Sequence, residues 1–166
     1  MIHIDMFIPF FRHQKSRFDS KLFDQTDFYG QFIHDLNSCE NEVAIESPFI
    51  TSSRMNLLYP TFKKLLARNV HIHIITRDPI DHDDEFMRNQ ATNEILYCNE
   101  MGINIVLLRG NHHRKIVILD RNILWEGSLN ILSYSNSQEI MRRIENKETA
   151  TQMFNFLKLQ KLFIQR

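Results

Sequence analysis

Apolar and polar positions along the chain follow two alternating periods, and the switches between them mark out the elements. Over residues 27–36, Phe28, Phe32, Ile33 and Leu36 recur at helical spacing. Residues 42–50 form a short apolar run, read as a buried strand ending in the turn around Pro48. Residues 56–68 place Leu57, Leu58, Phe62, Leu65 and Leu66 on one helical face. In 70–76, Val70, Ile72 and Ile74 point one way and His71, His73 and Ile75 the other, as on a strand. Asp83, Asp84 and Glu85 suit the first turn of a helix, where negative charge complements the macrodipole. That helix runs to Met101 and stops at Gly102, a residue type favoured just past a helix end.

Strands are predicted at 103–108, 115–119, 123–125 and 139–144, and a closing helix at 148–163. Strands interleaved with helices predict an α/β sandwich with a mixed, largely parallel central sheet. Residues 1–23 are harder to read: Phe7, Ile8, Phe10 and Phe11 fit an edge strand, and 15–21 reads as a polar turn. Four glycines and four prolines leave few breaks, and there is no internal repeat or low-complexity tract. A length of 166 residues then predicts a single domain.

Charge narrows the picture without deciding it. Twenty Lys and Arg balance twenty Asp and Glu, which excludes a broadly basic coat or an acidic tail but not a local basic site. Cys39 and Cys98 cannot make a disulfide framework and neither lies in a CxxC, so a reducing compartment is expected. No apolar stretch approaches the roughly 18 residues of a spanning helix. The first residues lack a charged n-region and are interrupted by His3, Asp5 and Pro9, unlike a signal peptide. The expectation is a cytoplasmic protein with no membrane partner.

The chemistry concentrates in residues 111–130, NHHRKIVILDRNILWEGSLN. On a strand, residues two apart share a face, so His113 and Lys115 project together, and Ser128 and Asn130 stand in the same relation after the next strand. Gly127 before them allows a close backbone approach. An imidazole, an ammonium, a hydroxyl and a carboxamide converging at adjacent strand ends make an anion site with a nucleophile that titrates near neutrality. Asp120 lies seven residues from His113, an odd separation, which favours a structural role at the strand end. By the same parity His112 goes with Arg114, away from His113.

His113-x-Lys115, four residues, Asp120, six residues and Gly127-Ser128-x-Asn130 resembles the HKD motif of the phospholipase D superfamily, with Glu139 in the place of the trailing glutamate. The likeness centres on residues 43–145 and takes in the Ser47-Pro48-Phe49 and Thr76-Arg77-Asp78-Pro79 turns, while 1–40 carry no family signal. The resemblance implies a phospholipase D-like α/β/α sandwich and a phosphodiesterase that uses neither metal nor cofactor. In that scheme His113 attacks phosphorus and Lys115 and Asn130 hold the non-bridging oxygens. Glu139 orients the imidazole, and Ser128 and Asp120 complete the candidate catalytic set. A second histidine is required, and a chain with one motif takes it from another subunit, so a homodimer with one shared site follows.

Arg109, Arg114 and Arg121 around the motif are candidate substrate-binding residues, with Lys63, Lys64, Arg68, Arg142 and Arg143 adding positive charge elsewhere. A local basic cleft suits a phosphodiester polymer. Short single-motif members of the family resemble nucleases more than lipid hydrolases, and the favoured reading is an endonuclease acting on DNA in preference to RNA. In the family such domains also occur fused to helicase or restriction modules. A phospholipase or other small-diester hydrolase, and a DNA-binding module without turnover, stay open. His71, His73, His82 and Asp83 are the other chemistry-bearing cluster, but no metal-ligand spacing supports them, and no metal is expected there.

Overall fold

The computed structural model describes residues 19–133 and 136–164. The edge strand expected at Phe7–Phe11 lies outside them. In chain order the elements are β1 (Asp19–Asp24), α1 (Phe28–Asn37), β2 (Glu42–Glu46), α2 (Ser52–Ala67) and β3 (His71–Arg77). After a short 3-10 turn at Pro79–Asp81 come α3 (Glu85–Glu100), β4 (Asn104–Leu108), β5 (Ile116–Leu119), β6 (Ile123–Gly127), β7 (Ile140–Glu145), α4 (Lys147–Phe156) and α5 (Leu159–Phe163).

The seven strands form one sheet in the order β1-β7-β6-β5-β2-β3-β4. It is mixed, as expected, but the balance differs: β2–β3 and β3–β4 pair parallel, and the other four pairs are antiparallel. The reason lies in the connections. Only α2 and α3 are long enough to carry the chain back for a parallel neighbour, whereas β5 and β6 are joined by the tight turn at Asp120–Asn122.

Helices cover both faces, giving the α/β/α sandwich. On one face α1, α2 and α3 pack Phe28, Phe32, Leu58, Phe62 and Ile95 against Val43, Ile45, Val117 and Trp125. On the other, Ala150, Phe154 and Leu159 of α4 and α5 pack against Ala44, Ile75, Ile118, Leu124 and Ile144. Strand parity separates the two sets: Ile45 and Val117 face one core, Ala44 and Ile118 the other.

Two expectations change. Residues 19–21, read as part of a polar turn, belong to β1, an edge strand whose in-register pairing with β7 overrides its polar composition. The closing helix breaks after Phe156, where Lys158 takes a left-handed conformation (φ 55°), and α5 then docks its own Leu159. A buried polar lock ties α1 to the sheet: Asp35 accepts from Trp125 Nε1 (3.0 Å) and from Arg143 Nε (2.7 Å) and Nη2 (3.2 Å). Arg143, counted in the sequence only as further positive charge, is therefore committed to the interior.

Candidate active site

Residues 112–115 carry no strand pairing and lead directly into β5. Within them Lys115 is buried, and its Nζ donates to the His113 carbonyl (2.8 Å) and lies 2.6 Å from the imidazole Nδ1. Burial pulls the Lys115 ammonium below the ordinary lysine range, and the charge of Glu139 opposes that shift. The Phe49 ring meets His113 edge-on with centroids 6.2 Å apart, and His82 packs on the same phenyl ring at 5.4 Å.

The second half of the motif is fixed by the junction of β6 and β7. Ser128 N donates to the Ile140 carbonyl (2.9 Å), and Ile140 N returns a bond to Ser128 Oγ (3.1 Å). This approach explains Gly127: a Cβ there would fall 2.1 Å from the Ile140 oxygen and 2.8 Å from Met141 Sδ. Glu139 accepts from the Ser137 hydroxyl (2.5 Å), and its backbone N–H donates to Gln25 Oε1 (2.9 Å). The Ser128 and Ser137 hydroxyls, aided by Lys115, hold its carboxyl below the usual glutamate range. Asn130 is half-buried, and its Oδ1 has no hydrogen-bond partner among the described residues.

His113, Lys115, Gly127 and Ser128 line an open groove of about 670 Å³ together with Leu22 and Arg142. Leu22 and Arg142 stand in one cross-strand row with Glu126 and Ile116. Sequence reasoning did not place that row at the site, because β1 was not recognised; the alternation along 139–144 carries the signal for Arg142.

Two predicted site residues, one from the motif and one beside it, leave the site. Asp120 and Arg121 follow the C-terminal end of β5, whereas His113 precedes its start, so the whole strand separates them. Asp120 instead accepts from the amides of Glu40 (2.8 Å), Asn41 (2.8 Å) and Glu42 (2.9 Å) and from the Cys39 thiol (3.1 Å). Burial pushes its carboxyl up, but these donors outweigh that and hold it below the ordinary range. Arg121 pairs with Glu42 (2.5 Å) and lies over the Phe154 ring, so it is no substrate contact of the groove.

Arg109 is at the correct end of the sheet but follows β4, three strands from β5 or about 14 Å by strand spacing, and is bound to Asp81 (3.2 Å). Arg114 does line the groove, with its Nε 2.6 Å from Glu46 Oε1. His112 turns to the same carboxylate (3.2 Å). Burial, reinforced by Arg114, depresses its imidazole to about 4. Of the other histidine cluster, His73 stacks on Phe163 (3.7 Å between ring centroids), while His82 lies against Phe49. Among the described residues no group of three or more His, Cys, Asp or Glu side chains is placed to hold a metal ion.

A family model described as cardiolipin synthase, PLD-like domain, matches residues 32–159. The chain belongs to the phospholipase D superfamily. No curated protein matches it in sequence. Among solved structures the phospholipase D-like fold is shared with NucT from Helicobacter pylori, at 21% identity and a TM-score of 0.69, covering 87% of this chain and 95% of that one. A phospholipase D family member, Nuc from Salmonella typhimurium, is 16% identical with a TM-score of 0.66, covering 85% and 92%. Phosphatidylserine synthase from Haemophilus influenzae Rd KW20 is 15% identical with a TM-score of 0.66, covering 92% of this chain but 40% of that one. At these identities the likeness carries the fold of a phospholipase D-type phosphodiesterase and no more.

Proposed function

We propose that this protein is a metal-independent endonuclease that cleaves DNA through a phosphohistidine on His113, at a site completed by a second copy of the chain. The observation that carries the reading is the His113–Lys115 pair, 2.6 Å apart at the wall of an open groove with Ser128 beside it. In the first step an imidazole nitrogen of His113 attacks phosphorus, the P–N bond forms, and the P–O bond to the leaving strand breaks. The partner subunit's His113 protonates that leaving oxygen, then takes a proton from water, whose oxygen attacks phosphorus and breaks the P–N bond. Lys115 releases the imidazole edge to hold a non-bridging oxygen, and Asn130 offers its carboxamide N–H to the other. Glu139, ionised and tied to Ser128 and Ser137, offsets the charge of Lys115.

Lys115 and Arg142 in the groove, with Arg114 already paired to Glu46 and Glu126 the one acid among the lining residues, support a polyanionic substrate. The near-complete overlap with NucT and Nuc, set against 40% of the phosphatidylserine synthase, supports a domain that carries half of a two-histidine site. The exposed Leu22 and Ile140 at the groove supply apolar surface for a partner protomer. The same two residues favour a second reading, hydrolysis of a phospholipid diester.

The test is cleavage of single- and double-stranded DNA in EDTA by the wild-type protein and by His113→Ala. Cleavage that persists in EDTA and disappears in the variant is expected. Cleavage abolished by EDTA overturns the metal-free chemistry. Hydrolysis of phosphatidylcholine vesicles without nuclease activity selects the lipid reading, and salt-sensitive DNA retention without cleavage selects a binding module.

A further inference from the structure

His113 lies in a stretch that no ladder bond fixes: residues 112–115 precede β5, and Gly110 before them takes φ 84°. One of its sequence neighbours, Arg114, is nevertheless held by a buried side chain, and the ring of the other, His112, lies against the same carboxylate. Glu46 ends β2, a central strand paired with both β3 and β5, and its residue is 2% exposed. Its Oε1 lies 2.6 Å from Arg114 Nε and 3.2 Å from His112 Nε2. Glu46 is in register with Ile116, the first residue of β5, so the carboxylate reaches back along the incoming chain from a fixed point in the sheet. On the other side Lys115 Nζ holds the carbonyl of His113 itself.

We propose that Glu46 is a positioning residue for the phosphodiesterase reaction: by holding Arg114, with the His112 ring packed against the same carboxylate, it fixes where the imidazole of His113 stands in the groove. The proposal rests on the reading of His113 as the nucleophile. A buried carboxylate is costly unless a charged partner offsets its desolvation, and Arg114 supplies that partner through a short charge-assisted bond. Burial raises the Glu46 carboxyl and Arg114 draws it back, so the grip exists only while both are present. Without it the backbone of 112–115 keeps the turn bond from His112 N–H to the Gly110 carbonyl (2.9 Å) and the Lys115 bond to the His113 carbonyl, and that ammonium is the group a bound phosphate would draw away. In-line attack needs the reacting atoms about 3–3.5 Å apart, so a loosened histidine loses turnover before it loses substrate.

The experiment compares wild type, Glu46→Gln and Glu46→Asp on a DNA substrate, with the imidazole resonances of His113 followed by nitrogen–proton correlation spectra. For Glu46→Gln we expect kcat to fall about tenfold or more with KM within about threefold. The His113 cross-peaks should shift or broaden while those of exposed His34 and His71 stay in place. Glu46→Asp, which keeps the charge, should recover part of kcat. Unchanged kcat in Glu46→Gln overturns the proposal, and so does a fall in kcat with His113 resonances unmoved. Unfolding of both variants overturns it as well, since the residue then serves the fold alone. If wild type cleaves no phosphodiester, the nucleophile reading has failed, and the spectra, which need no turnover, still decide whether Glu46 places His113.

Discussion

Asp120 shows how a single residue within a catalytic motif can serve the fold. Its carboxylate takes three backbone N–H groups and a thiol from the segment that enters β2, while its own backbone turns through φ 49° to open the β5–β6 turn. Replacing it with alanine removes the charged acceptor of three amides, two of them exposed, at about 1.5–3 kcal/mol for a hydrogen bond to a charged group. Asp120→Ala is therefore expected to lower the urea midpoint clearly while keeping kcat within a few-fold of wild type at temperatures where it is folded. A loss of turnover as deep as that of His113→Ala, in a protein as stable as wild type, would return Asp120 to the chemistry. The pH dependence has a definite sign. The folded carboxyl is held below its unfolded value, so its stabilisation is full above about pH 4 and fades as pH falls through the folded value. Asp120→Ala should remove that part of the acid sensitivity.

At the level of elements, legibility followed the strength of local patterning. The α1, α2 and α3 helices and the strands β2 to β7 stood out because their apolar residues recur at a helical or strand period and face one of two cores. The edge strand β1 did not, because DSKLFD is polar and only its pairing with β7 makes it a strand. The antiparallel bias of the sheet was also hidden, since it depends on which strand β5 joins, a long-range choice that puts it beside β2. His113, Lys115 and Ser128 are legible from spacing, whereas Glu46 lies unremarked inside the run 42–50 and stands out only through its bond to Arg114. Arg143 was misread for a related reason: its neighbour Arg142 is exposed, and one step along β7 reverses the face. The Arg143–Asp35–Trp125 lock supports a second expectation. Arg143→Ala leaves Asp35 buried and uncompensated and should cost about 3–5 kcal/mol in urea unfolding, whereas pairing Arg143→Met with Asp35→Leu should restore most of it. A single variant that unfolds like wild type would show that the pair holds no charge in the interior.

At the scale of the whole molecule, formal neutrality and a basic groove are compatible because charge is unevenly placed and several arginines are already paired away from the groove. Arg121 is held by Glu42, Arg109 by Asp81 and Arg143 by Asp35. Lys115 and Arg142 line the groove with His113, next to apolar surface at Leu22 (63% exposed) and Ile140 (60% exposed). An isologous dimer on that surface would bring two copies of the groove together and supply the acid and base that one histidine cannot provide at once. This arrangement predicts more than a dimer in light scattering, because it makes activity depend on both protomers. When wild type and His113→Ala are mixed and allowed to exchange, mixed dimers carry a nucleophile or an acid but not both. DNA cleavage should then fall with the square of the wild-type fraction, to about a quarter at equal mixing, with total protein held constant. Independent subunits would keep about half, in proportion to the wild-type fraction. A linear titration in a protein shown to exchange subunits would thus place the whole reaction within one chain, and the second proton donor would have to be sought among groups close to the groove, with His82, one phenyl ring away, the first to test.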